Sequence, residues 1–267
     1  MQSSFSNIRN YLYNDEKESE VEMMIRTAFV TGADRGVGLA LAAQLLKQGC
    51  QVFAGQYAAE AAALQQLQGS YGEQLHVLRL DISSDESVAE ALRYTSEQTE
   101  HLDLLINNGA ILGNIQSTIH DELNYAEMMD VFNVNTLGSL RMSQSFMPLL
   151  LRSHSKFLVN ISSEAGSIGD CYRDSWYAYC MSKAALNMQS KLIHNGIRTQ
   201  GGRVLVVHPG WVQTYMQGKL DAGAALTPEQ SAAAILDLVE GRLGLNTVKA
   251  EDADCEYVDY AGNPMNW

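Results

Sequence analysis

The 267-residue sequence predicts an α/β fold, a single domain built on a doubly wound parallel sheet. Three observations predict it. Short apolar runs alternate with helical stretches from about Ile25 onward, a glycine-rich turn joins the first of those runs directly to a helix, and the length suits one domain with a full core.

Residues Met1 to Glu22 come before any of this and are polar and acidic, with Asp15 to Glu20 at their centre. Such composition buries too little to order itself, so 1–22 are expected to form a mobile extension and 23–267 the domain. Phe5, Ile8 and Leu12 fall at helical spacing and leave a docked helix as the alternative. Thr27 to Val30 is the first strand and Val37 to Gln48 the first helix. Between them lies Thr31-Gly32-Ala33-Asp34-Arg35-Gly36-Val37-Gly38. Strand, glycine turn and helix in that order are the context of a dinucleotide site. Gly32 permits the tight turn, Gly36 and Gly38 allow close approach, and the helix N-terminus offers free N–H groups to a pyrophosphate. Asp34, Arg35 and Val37 belong to the same turn and are assigned to the same ligand.

Strand two is Cys50 to Gly55. After it, where an NAD site carries the acid that holds the ribose 2′-hydroxyl, stands Gln56 or Tyr57. Nothing there repels a 2′-phosphate, so NADP(H) is expected in preference to NAD(H). A helix over Ala58 to Gln68, strand three over Leu75 to Leu80, a helix over Ser87 to His101 and strand four over Leu102 to Ile106 follow. Asp81-Ile82 ends strand three, where the Asp could also cap the next helix, and Asn107-Asn108-Gly109-Ala110 ends strand four. Tyr125 to Met147 is a long helical stretch holding Asn135. Lys156 to Ile161 is strand five and leads into Ser162-Ser163-Glu164-Ala165-Gly166.

The next helix, Trp176 to Asn195, carries Tyr179 and Lys183 four positions apart and therefore on one face. A phenol beside a fixed cation is a tuned proton donor. Tyr ionises near pH ~10, so acid–base work at neutral pH asks for about 4 kcal/mol of preference for phenolate, with Lys183 as its source. Arg203 to Val207 is strand six, followed by His208-Pro209-Gly210-Trp211-Val212-Gln213-Thr214. His208, before a proline at a strand end, reads as structural. Met216 to Ala225 has the composition of a lid. Thr227 caps a last helix with Pro228 at its first position, and a strand near Glu256 to Val258 closes the chain.

These motifs, in this order and at these separations, resemble the classical short-chain dehydrogenase/reductases from about Ile25 to the C-terminus. The resemblance implies a Rossmann-type sheet with a seventh strand and reversible hydride transfer between NADP(H) and a small carbonyl or secondary alcohol. It implies that Tyr179 gives or takes the proton, that Ser163, two residues before Ala165-Gly166, orients the substrate oxygen, and that Lys183 binds the ribose. Asn135 would sit at a local helix break, its carbonyl holding a relay water. Asp81 and Ile82 would meet the adenine, Asn108 and Gly109 the cofactor, and Pro209, Gly210, Val212 and Thr214 the nicotinamide and phosphates. Arg35 stands where NADP-preferring members carry a basic residue. Asn107-Asn108-Gly109-Ala110 departs from the family's Asn-Asn-Ala-Gly, moving the glycine by one place. The stretch Gly169 to Asp174 reads as a small insertion beside the pocket. That loop, Gly166 to Gly169, Ser182 to Asn187 and the ending from Tyr257 most resemble the carbonyl-reductase branch that includes sniffer and C-factor-like proteins. Helices near Ser139 and Ser182 to Asn195 form subunit contacts in many members, so a homodimer or homotetramer is expected. A non-catalytic nucleotide sensor has no need of Ser163, Tyr179 and Lys183 together. A cofactor-assisted epimerase or dehydratase fits less well, because the length leaves no added sugar-nucleotide domain.

A net charge of −13 without a basic run disfavours nucleic acid or an anionic membrane as partner. Four widely spaced cysteines form no Cys-x-x-Cys pair and predict reduced thiols in a cytoplasmic protein, with no metal site. The sequence shows neither a membrane-spanning apolar run nor a secretory signal.

Overall fold

The computed structural model describes residues 25–244 and 254–267; the expected extension over 1–22 lies outside them. Seven strands, β1 (Thr27–Val30), β2 (Gln51–Gln56), β3 (Leu75–Arg79), β4 (Leu104–Asn107), β5 (Phe157–Ile161), β6 (Arg203–His208) and β7 (Glu256–Asp259), form one sheet in the order β3-β2-β1-β4-β5-β6-β7. Every pairing is parallel. The helices are α1 (Gly36–Lys47), α2 (Ala62–Tyr71), α3 (Asp85–Gln98), α4 (Tyr125–Phe132), α5 (Ser139–Arg152), α6 (Tyr177–Ile197) and α7 (Pro228–Gly244).

A parallel strand is covered on both faces, and β1 shows why an unbroken apolar run is needed. Ala28 and Val30 pack into a core with Leu41 and Leu45 of α1, Leu64 of α2 and Ile235 of α7. Phe29, between them, joins the opposite core with Val88 of α3, Phe146 of α5 and Ile197 of α6. Its ring lies 4.8 Å from Phe146, edge-on, and 6.3 Å from Phe53, stacked. Asp103, buried just before β4, ties the entry of β1 to that of β4 by accepting the backbone N–H groups of Arg26 and Thr27 at 2.9 and 3.0 Å and the Thr27 and Ser153 hydroxyls.

Two expected helices differ. Helix α2 begins at Ala62 rather than Ala58 because Ala58 is held on both sides, its N–H on Asp34 Oδ1 and its carbonyl on Gln56 Nε2. The long stretch from Tyr125 is not one α-helix: α4 and α5 are joined by a π-helical turn, Asn133–Gly138, around Asn135. The Asn135 side chain bonds Ile111 N–H and C=O, each at 2.8 Å, and this crosslink to the neighbouring loop holds the widened turn. Since the neighbouring strands β1 and β4 lead to helices on opposite faces of the sheet, α1 in one core and α5 in the other, a crevice opens at their carboxyl ends.

Candidate active site

The crevice begins at the glycine turn. Gly32 and Gly36 take φ of 63° and 57°, the left-handed region that favours glycine. A Cβ on Gly38 would fall 2.2 Å from the Gly32 carbonyl oxygen, so any side chain there would break the turn. No side chain caps the N-terminus of α1, whose first N–H groups are left for an anion. That bare helix end under two left-handed glycines fits the pyrophosphate of a dinucleotide.

A cleft of about 830 Å³ runs from this turn across the ends of β4, β5 and β6. Gly32, Asp34, Arg35, Gly36 and Val37 form one end of it. Asp81, Ile82, Asn108 and Gly109 follow, and Pro209, Gly210, Val212 and Thr214 line the facing loop. Ser163, Tyr179 and Lys183 share the remaining wall. Gly38 and Asn135 are the two expected residues not on the wall: both lie behind it, shaping the backbone.

Several of these side chains are committed to the protein. Asp81 Oδ1 accepts Ser83 N–H and Oγ–H at 2.9 and 2.6 Å, a local turn, while Ser84 caps α3. Asp34 holds Ala58, and burial raises its carboxyl above the ordinary range. Asn108 Nδ2 donates to the Thr31 and Gly32 carbonyls at 3.0 and 3.1 Å, stapling the glycine turn to β4. A Cβ built on Gly32 would come within 2.8 Å of Gly109 Cα, so this approach requires glycine at 32, whereas a Cβ on Gly109 would first meet Ile82 Cδ1 at 3.2 Å. Asn107 is wholly structural, its amide bridging Ser139 O, Ser143 Oγ and Asn160 Oδ1 within the core.

Helix α6 brings the proton-handling groups together. Gly166 lets the turn after β5 lie against it, since a Cβ there would meet the Lys183 backbone at 2.9 Å. Ser162 bonds Asn187 of α6 at 2.6 Å and is a turn residue, which leaves Ser163 facing the cleft. Ser182, fully buried, accepts from Asn135 Nδ2 at 3.0 Å, so the π-helical turn and α6 are locked to each other. The Asn135 carbonyl accepts the Ser139 hydroxyl at 3.0 Å.

The electrostatics differ from expectation. Lys183 is 2% exposed; its Nζ lies 5.6 Å from the Tyr179 ring centre and donates to the Ile161 carbonyl at 2.8 Å. Burial lowers its pKa to about 7. Tyr179 is driven well above the ordinary phenol value, first by burial and then by the Glu164 charge, against a hydrogen bond with Ser163. Burial thus raises the phenol and lowers the amine, opposing the charged form of each.

Sequence reasoning missed a cluster beside Tyr179. Ser163 Oγ donates to Glu164 Oε2 at 2.7 Å, Arg173 Nη2 donates to Glu164 Oε1 at 2.5 Å, and His208 Nδ1 lies 3.4 Å from Oε2. Burial pushes the Glu164 carboxyl up, but the Ser163 bond and the His208 and Arg173 charges outweigh it and hold it below the usual range. Trp176, with φ of 66°, turns the chain into α6 and sets its ring between Arg173 and Tyr179. The available signal was Glu164 directly after Ser163, with Arg173 following in the loop expected to be an insertion. Past β6, Trp211 Nε1 donates to Asp221 at 2.7 Å, tying down the stretch expected to act as a lid.

The family model described as short chain dehydrogenase matches residues 26–225. An uncharacterized oxidoreductase of Schizosaccharomyces pombe is 34% identical over 230 residues, covering 79% of this chain and 89% of that protein. C-signal of Myxococcus xanthus is 32% identical over 173 residues, 65% of this chain and 97% of that one. Among solved structures, NADPH-bound carbonyl reductase from chicken fatty liver superposes with a TM-score of 0.79 at 31% identity, covering 91% of this chain and 99% of that chain. The carbonyl reductase Sniffer of D. melanogaster gives 0.80 at 25% identity, with 91% and 100% covered.

Proposed function

The chain belongs to the short chain dehydrogenase family of oxidoreductases, and on that premise we propose that it is an NADP(H)-preferring reductase of small carbonyl compounds, running in reverse on secondary alcohols. The observation that carries this reading is the convergence of Ser163, Tyr179 and Lys183 on one wall of a cleft whose other end is the glycine turn.

A bound nicotinamide dinucleotide supplies or takes the hydride. The bare N-terminus of α1 with Gly32 and Gly36 would hold its pyrophosphate, and Arg35, exposed at the cleft edge, would pair with a 2′-phosphate. Tyr179 donates its proton to the reacting carbonyl oxygen and takes it back from the alcohol. Its burial keeps that proton on the phenol at neutral pH, the state reduction needs. Lys183 spends one of three N–H donors on Ile161 and keeps two for the ribose hydroxyls. Ser163 orients the reacting oxygen. Asn135 holds the π-helical turn against α6 through Ser182, and its carbonyl would hold the water that relays a proton to Lys183. Tyr172, Trp176, Trp211, Tyr215 and Met216 line the substrate end and favour a carbonyl with an apolar or aromatic flank.

The test is loss of reduced-cofactor absorbance with a panel of carbonyl compounds, repeated with Tyr179→Phe. That variant should bind NADPH and not turn over; a rate of about a tenth of wild type or more would overturn the role of Tyr179.

A further inference from the structure

The Ser163 hydroxyl has one proton and more than one claimant. Orienting a reacting oxygen, or stabilising the Tyr179 phenolate, requires Ser163 to donate into the cleft. The Tyr179 phenol stands within reach of this hydroxyl, and the one proton goes to Glu164 Oε2, at 2.7 Å. A carboxylate is a strong acceptor, and Ser163 Oγ also accepts Ala165 N–H at 3.2 Å, so the hydroxyl is held from both sides. Glu164 is in turn gripped by Arg173 through its other oxygen at 2.5 Å. The Arg173 guanidinium is fixed over the Tyr172 and Trp176 rings, its central carbon 4.8 and 4.9 Å from their centres. Sharing the carboxylate charge with a guanidinium makes it a weaker acceptor for a third group.

We propose that Glu164 is a latch on Ser163 and that Arg173, from the loop ahead of α6, is the positioning residue that keeps the latch light enough to open, so that Ser163 swings from Glu164 to the reacting oxygen when substrate enters. This rests on the oxidoreductase reading above and adds to it a control on Ser163. Arg173 then matters to turnover only because Glu164 is present. The rest of the cluster fits this assignment. His208 faces the same Oε2 at 3.4 Å without a hydrogen bond, and Tyr257, on β7, donates to the Ser163 carbonyl at 2.5 Å, holding its backbone while the hydroxyl turns.

The sign of the coupling is the test. Arg173→Met leaves Glu164 a stronger acceptor, and kcat for carbonyl reduction should fall about tenfold, the equivalent of one charge-assisted hydrogen bond. Adding Glu164→Gln replaces the carboxylate by a weak neutral acceptor, and the double variant should recover to within about threefold of Glu164→Gln alone. In a Ser163→Ala background, Arg173→Met should have no effect on the residual rate. NADPH binding by fluorescence, measured on every variant, reports that the fold is kept. Should Arg173→Met fail to fold, Arg173→Lys carries the same comparison, with a smaller loss and the same rescue. Equal rates for Arg173→Met and the double variant, no loss in Arg173→Met, or the same loss without Ser163 would each overturn the latch. No carbonyl turnover by the wild type would sink the oxidoreductase reading itself, whereas a normal wild type without rescue sinks only this inference.

Discussion

Replacing Lys183 by Met should abolish turnover and yet raise the thermal midpoint of the cofactor-free protein. The amine is fully buried, and burial lowers its pKa from an ordinary 10.5 to about 7. Such a fall costs folding on the order of 4 kcal/mol at pH 7. Against this, Lys183 donates one hydrogen bond, to the Ile161 carbonyl, whose loss costs about 1–3 kcal/mol. Met fills nearly the same volume without a charge, so the net gain is about 2 kcal/mol, or about 4–8 °C for a chain of this size. The pH dependence carries a definite sign. A base whose folded value lies below its unfolded value binds fewer protons when folded, so its penalty is largest below about 7 and fades as pH rises toward 10.5. Melting curves of wild type and Lys183→Met by circular dichroism, at pH 7 and near pH 10, should show a gap that narrows with pH. A midpoint for Lys183→Met equal to or below wild type at pH 7 would refute the reasoning, because it would mean that Lys183 is charged and well paired when folded.

Other consequences follow for binding and assembly. Arg35→Ala should weaken NADPH far more than NADH, since only the former carries the 2′-phosphate; equal losses by fluorescence titration would make Arg35 a surface residue. Helix α6 exposes Met181, Met188 and Leu192 in one stripe, beside Tyr125 and Met129 of α4, and such a face suits a second copy of the chain. Light scattering at micromolar concentration should give a dimer or tetramer, and Met188→Lys with Leu192→Lys a smaller mass; a wild-type monomer would refute this. Deleting 1–22 should leave NADPH binding and the thermal midpoint nearly unchanged, because the first strand and the glycine turn begin later. A drop of several degrees would instead reveal Phe5, Ile8 and Leu12 docked as a helix, at ~1.5–3 kcal/mol each.

What the sequence made legible and what it hid divide along a physical line. Strand β1 was readable because Ala28, Phe29 and Val30 must be apolar on both faces whatever surrounds them. Tyr179 and Lys183 were readable because helical spacing alone places them on one face. The break around Asn135 came from resemblance, and the Ile111 crosslink supplies its cause. Each of these depends on neighbours a few residues away or on one repeated environment. The Glu164–Arg173 pair depends on a loop path that needs a left-handed Trp176, an unfavourable conformation that no propensity argument would choose.

Charge states are less local still. Lys183 reads as an ammonium in any sequence window, and only the packing of α6 against β5 and the turn at Gly166 buries it to 2%. A phenolate at Tyr179 needs a cation four residues away that keeps its charge. In the folded chain burial strips water from both groups, raising the phenol and lowering the amine. On the proposed reading, activation of Tyr179 for alcohol oxidation would require Lys183 to be held charged by groups beyond Tyr179 itself. As an ammonium, Lys183 has two N–H donors left beyond the Ile161 bond, and on that reading a ligand that accepts them would couple its binding to the proton chemistry.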